Sequence, residues 1–235
     1  MGTFAQDTAN EYQLTREEMD DYSIESLRRA NAAIESGAFD GEVVPVTIVT
    51  RKGETTVEHD EAPGKGNPDK IPQLRPAFAK DGTITAATSS SISDGAAAVV
   101  LSRESVAKEN GQTPVAKIVG LAAHAQEPSK FTVAPIGAIE KLLEQTGWSA
   151  EDVDLWEVNE AFACVAMFAM RDIGIPHDKI NVNGGGTALG HPIGASGTRI
   201  IVTLLNALKQ QGKKRGIASL CIGGGEATAV AVEMV

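Results

Sequence analysis

The sequence has few cysteines and few basic residues, and each shortage excludes a class of protein. Only two cysteines occur among the 235 residues, which is too few for a disulfide framework and favours a reducing compartment. Lys and Arg number 21 against 31 Asp and Glu, so the formal net charge is -10. A chain with this balance is not expected to bind nucleic acid or an anionic membrane surface, although backbone amides can still bind a small anion.

The sequence also lacks long apolar runs and clustered metal ligands. No run approaches the roughly 18–20 apolar residues that span a bilayer, and residues 1–6 lack the basic and apolar regions of a signal peptide. His59, His124 and His177 are separated from one another and from the cysteines, so no metal-ligand spacing is present. We therefore expect a soluble, cytoplasmic protein without a metal site.

The residues that are present predict an α/β fold. Hydrophobic residues make up 42% of the chain and charged residues 22%, which is typical of a globular protein with a substantial core. Thr15 and Glu18 have capping-box spacing, which predicts a helix that ends at Gly37. Strands alternate with helices and end in a hairpin, which indicates a mixed sheet covered by helices. The apolar patterns predict strands at 42–50, 96–101, 115–122, 153–158, 180–182, 217–222 and 227–235, and helices at 103–110, 135–145, 160–173 and 198–211.

A stretch rich in Gly, Pro, Lys and Asp at 59–76 is the best internal boundary. We therefore divide the chain into a region 1–78 and an α/β domain 79–235. The segment before the boundary is expected to be an appendage to the main domain.

A glycine-rich loop at 183–197 is the most unusual segment. It lacks the ending of a phosphate-binding P-loop, because Gly190 is followed by His191 rather than by Lys, and it does not match G-x-G-x-x-G. The glycines are explained equally well by a tight connection between a strand and a helix. His191 can act as a hydrogen-bond donor or as a base near neutral pH, although an isolated histidine is more often structural.

Two other positions leave a structural and a chemical interpretation open. Cys221 ends an apolar strand before three glycines, so it is either a buried small hydrophobe or a thiol beside accessible backbone amides. Asn159 follows a strand, so it is either a helix cap or an amide that positions a water or polarises a carbonyl. Cys164 lies in an apolar helix, where a packing role is more common.

Considered together, three segments resemble those of the thiolases, the group that contains acetyl-CoA acetyltransferases and 3-ketoacyl-CoA thiolases. The resemblance extends over essentially the whole chain. The asparagine of the first segment separates thiolases from related condensing synthases, which carry a second histidine there. The segments are Asn159-Glu160-Ala161-Phe162, Gly190-His191-Pro192-Ile193-Gly194-Ala195-Ser196-Gly197 and Cys221-Ile222-Gly223-Gly224-Gly225.

The resemblance implies a thiolase-like fold of two stacked α/β halves with a loop domain that binds coenzyme A. Region 1–78 would be part of that loop domain, and 79–235 would be the C-terminal α/β domain. The implied reaction is the reversible condensation of acetyl-CoA and thiolysis of 3-ketoacyl-CoA, with coenzyme A thioesters as substrates and no permanently bound cofactor. Dimers or tetramers are implied as well, together with a place in fatty acid metabolism.

The resemblance also implies roles for individual residues. His191 would hydrogen-bond the thioester carbonyl and help to activate the nucleophile, and Asn159 would hold the water that completes this oxyanion hole. Cys221 would remove or return the α-proton of the acetyl group, and the Gly223 amide would contribute to a second oxyanion hole. Four further residues match positions that line the pantetheine and acyl pocket, namely Ala86, Ser90, Ala161 and Phe162.

The chain departs from the family pattern in one essential group. Acyl transfer by thiolases needs a second, nucleophilic cysteine in the N-terminal half, and neither Cys164 nor Cys221 matches its motif. We therefore expect the chain to correspond to the C-terminal three-fifths of a thiolase. Smaller departures are Thr88, where the family commonly has Asn, and a coenzyme-facing basic residue for which Lys65 and Lys70 are both candidates.

Three functional hypotheses follow from the sequence. In the first, the chain carries the acid/base half of a thiolase, and the N-terminal half comes from a partner chain or from a longer native protein. In the second, it is a catalytically silent subunit that binds acyl-CoA or supports assembly. In the third, it is an inactive fragment that exposes a broad apolar face. A nucleotide-binding domain is disfavoured by the spacing of the glycine loop.

Overall fold

The computed structural model describes residues 1–235 and contains seven α-helices and six strands. The predicted capping box is confirmed at the start of α2, where the Glu18 carboxylate accepts from the Thr15 N–H at 2.7 Å and the Thr15 hydroxyl accepts from the Glu18 N–H at 3.2 Å. The elements are α1 Gly2–Glu11, α2 Arg16–Glu35, β1 Val46–Thr50, β2 Gly53–Val57, α3 Glu104–Glu109, β3 Ala116–Ala125, α4 Ala134–Thr146, β4 Leu155–Val158, α5 Ala163–Ile173, α6 Gly186–Leu189, α7 Ser196–Gln210, β5 Arg215–Cys221 and β6 Glu226–Met234.

The main sheet has four strands in the order β3-β6-β5-β4. Strand β6 pairs antiparallel with both β3 and β5, and β5 pairs parallel with β4. The turn at 222–225 joins β5 to β6, so the predicted hairpin is confirmed. The single parallel pair places the carboxyl ends of β4 and β5 side by side, which is where sites in α/β sheets commonly lie.

Alternate side chains of each strand point to opposite faces of this sheet. Trp156, Ile217 and Ala231 lie in the larger core cluster with residues of α4 and α5. Leu155 and Val230 lie in a second cluster, which α7 covers. Helices therefore cover both faces of a mixed sheet, as the sequence pattern predicts.

The N-terminal helices are part of the main core. Ala5 and Ala9 of α1 and Met19 of α2 are fully buried in the larger cluster. The Gln6 side chain also accepts hydrogen bonds from the Thr83 and Ile84 N–H groups at 2.9 and 3.1 Å. The expected appendage is therefore wrong for these two helices, because non-local packing joins them to the α/β domain.

The hairpin of β1 and β2 differs from the rest of the fold. The two strands pair antiparallel with each other, and every residue in them is exposed. The sequence pattern predicted only the first strand, at 42–50. Residues 59–76 then form irregular chain with two short 3-10 turns, Pro63–Lys65 and Pro68–Gln73.

The predicted buried strand at 96–101 is wrong. These residues form no secondary structure, and all of them are at least partly exposed. The apolar run has the composition of a buried strand, but no strand of the chain lies beside it. The predicted strand at 180–182 is also absent, because Asn181 has a φ of +46° and only Ile180 forms a bridge, with Trp156.

None of the helices combines the length and the apolar character needed to cross a bilayer.

Candidate functional site

Two of the predicted site residues lie at the carboxyl ends of neighbouring parallel strands. Asn159 directly follows β4, and its N–H donates to the Ser219 carbonyl of β5 at 3.0 Å. Cys221 is the last residue of β5. The register of the parallel pair aligns Val158 with Ser219, so Asn159 and Cys221 are held at one edge of the sheet by backbone hydrogen bonds.

The Asn159 amide is buried and has no hydrogen-bond partner. Its side chain is 1% exposed, and neither Nδ2 nor Oδ1 contacts a donor or acceptor of the chain. A buried amide without partners costs free energy unless water or a ligand satisfies it. Gly186 lies directly beside it, since a Cβ there would approach Oδ1 to 3.3 Å. This arrangement suits a group that holds a water or a substrate oxygen.

The Cys221 thiol is buried at the same edge. Burial raises its pKa to about 12, so the group is a protonated thiol at neutral pH. Cys164 of α5 is completely buried, and burial together with the proximity of Cys221 raises its pKa further. Because Cys164 lies on the buried face of α5 and is part of the larger core cluster, its structural interpretation is the better supported one.

His191 is held by a serine five residues later. Its Nδ1 lies 2.5 Å from the Ser196 hydroxyl, which itself donates to the Pro192 carbonyl at 3.0 Å. Because that hydroxyl has one hydrogen, its oxygen accepts from Nδ1–H and leaves Nε2 as the basic nitrogen. Partial burial, and then the positive charge of Arg199, lower the pKa of His191 below 6.5, so the ring is neutral at pH 7.

A short segment joins the histidine to the Asn159 region. The Ser90 N–H and hydroxyl both donate to the Ala161 carbonyl, at 3.1 and 2.9 Å. One residue further on, the Ser91 carbonyl accepts from the His191 N–H at 3.0 Å. Thr88, at the position where the resemblance led us to expect Asn, bonds locally to Thr85. Residues 88–92 therefore connect the segment that carries Asn159 to the loop that carries His191.

Glu160 is the most heavily bonded side chain in this region, and the sequence analysis assigned it no role. It is completely buried and accepts five hydrogen bonds without any basic partner. The donors are the Tyr22 hydroxyl at 2.9 Å, the Ser26 hydroxyl at 2.8 Å, Asn181 Nδ2 at 2.8 Å and the Thr187 N–H and hydroxyl at 3.1 and 2.7 Å. The carboxylate thus ties α2, residue 181 and the glycine loop to the end of β4.

The three glycines at 184–186 are explained by this packing rather than by phosphate binding. A Cβ at Gly185 would overlap the Glu160 carboxylate, and one at Gly184 would lie 2.6 Å from the Ser26 carbonyl. Gly185 also donates its N–H to the Ser26 hydroxyl at 3.0 Å. A glutamate that follows a buried strand with no basic residue nearby is the sequence signal that could have pointed to this network.

The Gly223 amide lies in the turn between β5 and β6. Gly223 is exposed, and its N–H makes no hydrogen bond within the chain. The Ile222 N–H on one side donates to the Glu226 carbonyl at 2.7 Å, which fixes the turn. A free and fixed backbone donor next to Cys221 is what a second oxyanion hole needs.

A cleft of about 340 Å³ lies on the other side of the glycine loop. Both candidate basic residues, Lys65 and Lys70, line it, as do Ala86 and Thr187. The cleft therefore offers two ammonium groups beside an apolar wall, which suits an anionic ligand with an apolar arm. Ser90, Ala161 and Phe162 do not line this cleft.

Phe162 is instead mostly buried behind the site. It packs edge-on against Phe78 and Phe131, with ring centroids 6.0 and 6.3 Å apart. No group of three or more His, Cys, Asp or Glu side chains is arranged to hold a metal ion. The structure therefore places Asn159 and Cys221 at one edge of the sheet, links the His191 loop to the Asn159 segment through Ser90 and Ser91, and places Ala86 in a cleft, while the roles assigned to these residues stay predictions.

Comparisons with known proteins identify the family of this chain. A family model described as the thiolase C-terminal domain matches residues 112–234, and one described as the thiolase N-terminal domain matches residues 1–105. An acetyl-CoA acetyltransferase of Yarrowia lipolytica is 48% identical over 235 residues, and the match covers the whole of this chain but 59% of that protein.

Solved structures are equally similar. The acetyl-CoA acetyltransferase of Bacillus anthracis is 44% identical with a TM-score of 0.98, and a thiolase from Ascaris suum in complex with coenzyme A is 44% identical with a TM-score of 0.93. Each match covers the whole of this chain and 60% of the other chain. The chain thus spans about three-fifths of the length of the relatives it matches.

Proposed function

This chain belongs to the thiolase family, and we propose that it carries the acid/base and oxyanion-hole half of a thiolase-type acyltransferase. The proposed reaction is the reversible condensation of acetyl-CoA and thiolysis of 3-ketoacyl-CoA. The observation that carries the proposal is the partnerless, buried Asn159 amide at the sheet edge that also holds Cys221.

His191 and Asn159 form the first oxyanion hole in this proposal. The neutral Nε2 takes the proton of the attacking thiol, and the resulting N–H then donates to the thioester carbonyl oxygen. The lowered pKa of His191 supports this order of events, because a ring that is neutral at pH 7 can accept a proton. The Asn159 amide holds a water that donates the second hydrogen bond to the same oxygen.

Cys221 and Gly223 act on the second substrate. In condensation, the Cys221 thiolate removes the α-proton of acetyl-CoA, and the carbanion attacks the acyl-enzyme carbonyl and releases the nucleophilic thiol. In cleavage, the Cys221 thiol returns the proton to the enolate. The raised pKa of about 12 supports the thiol as the resting form, which is the form that the cleavage direction uses. The Gly223 N–H stabilises the enolate oxygen.

The coenzyme A thioester occupies the cleft beside the glycine loop. Lys65 and Lys70 neutralise its phosphates, and Ala86 contacts the pantetheine arm. Three other residues match the family's pantetheine and acyl pocket. In this proposal they form the wall between the cleft and the sheet edge, namely Ser90, Ala161 and Phe162. The complex of the Ascaris suum thiolase with coenzyme A supports this assignment by analogy.

The nucleophilic cysteine lies outside this sequence in the proposal, either in a partner chain or in the rest of a longer protein. Both cysteines of the chain are buried, and neither lies in the motif that the resemblance assigns to the acylated thiol. We also propose that the complete enzyme is a dimer or tetramer, in which the N-terminal half belongs to the same or to a separate chain. We further propose a cytoplasmic location, a role in fatty acid metabolism and the division at 78/79 between the loop-domain region and the C-terminal α/β domain.

Reconstitution tests the proposed function. The purified chain is expected to show no cleavage of acetoacetyl-CoA. Co-expression with the part of the Yarrowia lipolytica relative that the match does not cover should produce cleavage, and Cys221→Ala should abolish it while Cys164→Ala, a matched buried thiol, retains it. Turnover by the chain alone, or by a complex that carries Cys221→Ala, would refute the assignment.

A silent acyl-CoA-binding subunit is the second candidate function. It is favoured by one observation, namely a cleft with two lysines in a chain that has no accessible thiol. Calorimetry with acetyl-CoA separates the two candidates when it is combined with the turnover assay. Binding that Lys65→Ala or Lys70→Ala weakens, without turnover in any reconstituted complex, supports the silent subunit.

A further inference from the structure

We propose that Arg16 is a positioning residue for the coenzyme A thioester, because it fixes the loop that carries Lys70 against the cleft. We call residues 62–74 the lysine loop. The inference rests on the proposed function, since it concerns how the cleft assigned to coenzyme A is held in shape. Arg16 does not line the cleft itself, so it acts through the lysine loop rather than by touching the ligand.

The lysine loop forms one wall of the cleft, from Ala62 at its start to Leu74 at its end. Helix α2 contributes Ser23 and Leu27 to the cleft, and residues 86–91 and 187–188 complete it. A ligand in the cleft therefore contacts the lysine loop along much of its length. The position of this loop decides whether the cleft has the shape that the ligand needs.

The backbone of the lysine loop makes only local hydrogen bonds. Four of its N–H groups donate to carbonyls three residues earlier, namely those of Lys65, Gly66, Lys70 and Leu74. The Asn67 side chain also bonds within the loop, to the Asp69 N–H at 3.1 Å. These bonds shape the two short 3-10 turns, but they do not attach the loop to the rest of the chain.

Arg16 supplies the hydrogen bonds that attach the lysine loop to the rest of the chain. Its Nη2 donates to the Ile71 and Leu74 carbonyls at 3.1 and 2.9 Å, and the Pro72 carbonyl lies 3.3 Å from the same nitrogen. No other group outside the loop hydrogen-bonds to it. Because the donor is charged, these bonds are stronger than those between neutral groups.

Asp20 holds the guanidinium of Arg16 in a single orientation. The Asp20 carboxylate lies one turn later on α2, is buried and accepts from Arg16 Nε at 2.7 Å. Its second oxygen is buried without any partner, so its one hydrogen bond is the one to Arg16. The guanidinium is planar and rigid, so a fixed Nε also fixes the direction of Nη2. Helix α2 thus presents a fixed donor to the lysine loop.

Lys70 is the cation that this attachment places. Its ammonium group lines the cleft and makes no ion pair, whereas the Lys65 ammonium lies 3.7 Å from the Glu61 carboxylate. Lys70 directly precedes Ile71, which Arg16 holds by its carbonyl and which is buried in a small apolar cluster with Leu27. Ligand affinity falls with the fraction of time that a binding arrangement is populated, so a loosened loop should bind phosphate groups less tightly.

Calorimetry with acetyl-CoA tests the proposal on the chain. Arg16→Lys keeps a positive charge beside Asp20, but a single ammonium nitrogen cannot bridge the carboxylate and the loop carbonyls as a guanidinium does. It should weaken acetyl-CoA binding by about tenfold. Lys70→Ala should weaken binding by about fivefold. The double variant should be at most about twofold weaker than Arg16→Lys, because Lys70 contributes little once the loop is loose.

Arg29→Lys is the matched control. Arg29 also lies on α2, donates from Nε to a carboxylate, that of Glu25, at 2.7 Å, and donates to the His177 and Ile180 carbonyls at 3.0 and 2.7 Å. Residues 177–180 do not line the cleft. Acetyl-CoA affinity should therefore stay within about twofold of wild type. Amide exchange should accelerate at 62–74 in Arg16→Lys, by about tenfold, and near 177–180 in Arg29→Lys.

Equal acetyl-CoA affinities of wild type and Arg16→Lys would overturn the proposal. Additive losses in the double variant would overturn it as well, because Arg16 would then act independently of Lys70. If Arg16→Lys does not fold, Asp20→Asn provides the test, since it retains the arginine and removes the charge that orients it. Asp20→Asn should weaken acetyl-CoA binding by about threefold, and unchanged affinity in this variant would overturn the proposal.

The same titrations separate this inference from the proposed function. Absence of acetyl-CoA binding by the wild-type chain would refute the assigned cleft, and this inference with it. Binding that Lys70→Ala weakens and Arg16→Lys does not would support the assigned cleft and overturn this inference alone.

Discussion

The Glu157 carboxylate lies 3.4 Å from the Arg199 guanidinium in the interior, two residues before Asn159 on β4. Burial raises the pKa of Glu157 to about 8, although the charge of Arg199 opposes the shift. The second carboxylate oxygen and the Arg199 Nη2 are buried without partners. This pair joins β4 to the start of α7 and also supplies the charge that lowers the pKa of His191.

The pH dependence of the free energy of unfolding should reveal the raised pKa of Glu157. A carboxyl whose pKa rises from 4.5 to about 8 on folding binds its proton more tightly in the folded state. Its contribution to the free energy of unfolding is fully present below pH 4.5 and is lost as the pH rises towards 8. Relative to wild type, Glu157→Gln should therefore gain roughly 3–5 kcal/mol in the free energy of unfolding between pH 5 and 8. Urea unfolding at several pH values measures this difference.

Glu140→Gln is the control for this experiment. Glu140 is an exposed glutamate of α4, so its substitution should leave the pH profile parallel to that of wild type. A parallel profile for Glu157→Gln as well would show that Glu157 is ionised in the folded chain.

Gly185→Ala should destabilise the chain through Glu160. Its methyl group would overlap a carboxylate that five hydrogen bonds hold in place, so the carboxylate cannot move aside freely. We expect a loss of about 1–3 kcal/mol, typical of overpacking in a core. Gly64→Ala is the control, because no atom lies within 4 Å of a Cβ at that position. Equal unfolding midpoints for the two variants would contradict the packing explanation of the glycines at 184–186.

The His191 ring should titrate below pH 6.5. Partial burial and the Arg199 charge both disfavour the protonated imidazolium. Proton NMR of the histidine ring signals measures the midpoint, and loss of one signal in His191→Gln assigns it. A midpoint at or above 6.5 would remove the support for a neutral histidine that accepts a proton at pH 7.

Both thiols should resist alkylation in the folded chain. Cys164 and Cys221 are buried, and burial raises both pKa values, so few thiolates form at pH 8. Iodoacetamide should label them slowly in buffer and rapidly in urea, as peptide mass mapping can show. Rapid labelling of Cys221 in buffer would instead indicate an accessible thiolate and would favour it as a nucleophile.

Much of the fold is predictable from local pattern. The capping box of α2, the periodicity of α4 and α7 and the hairpin of β5 and β6 depend on residues close together in sequence. The motifs around Asn159, His191 and Cys221 likewise identify the candidate site, since short segments carry them. Helix α1 is missed because its sequence has few apolar residues, and the core that it joins comes from distant parts of the chain.

The sequence by itself determined the family resemblance, the α/β class and the candidate site residues. The tertiary structure decided what holds them there and which predicted element does not form. Glu160 has a role only because α2, Asn181 and the glycine loop bring donors from far along the chain. Residues 96–101 have the composition of a strand, but a strand needs N–H and C=O groups from a neighbour, and no part of this chain supplies them.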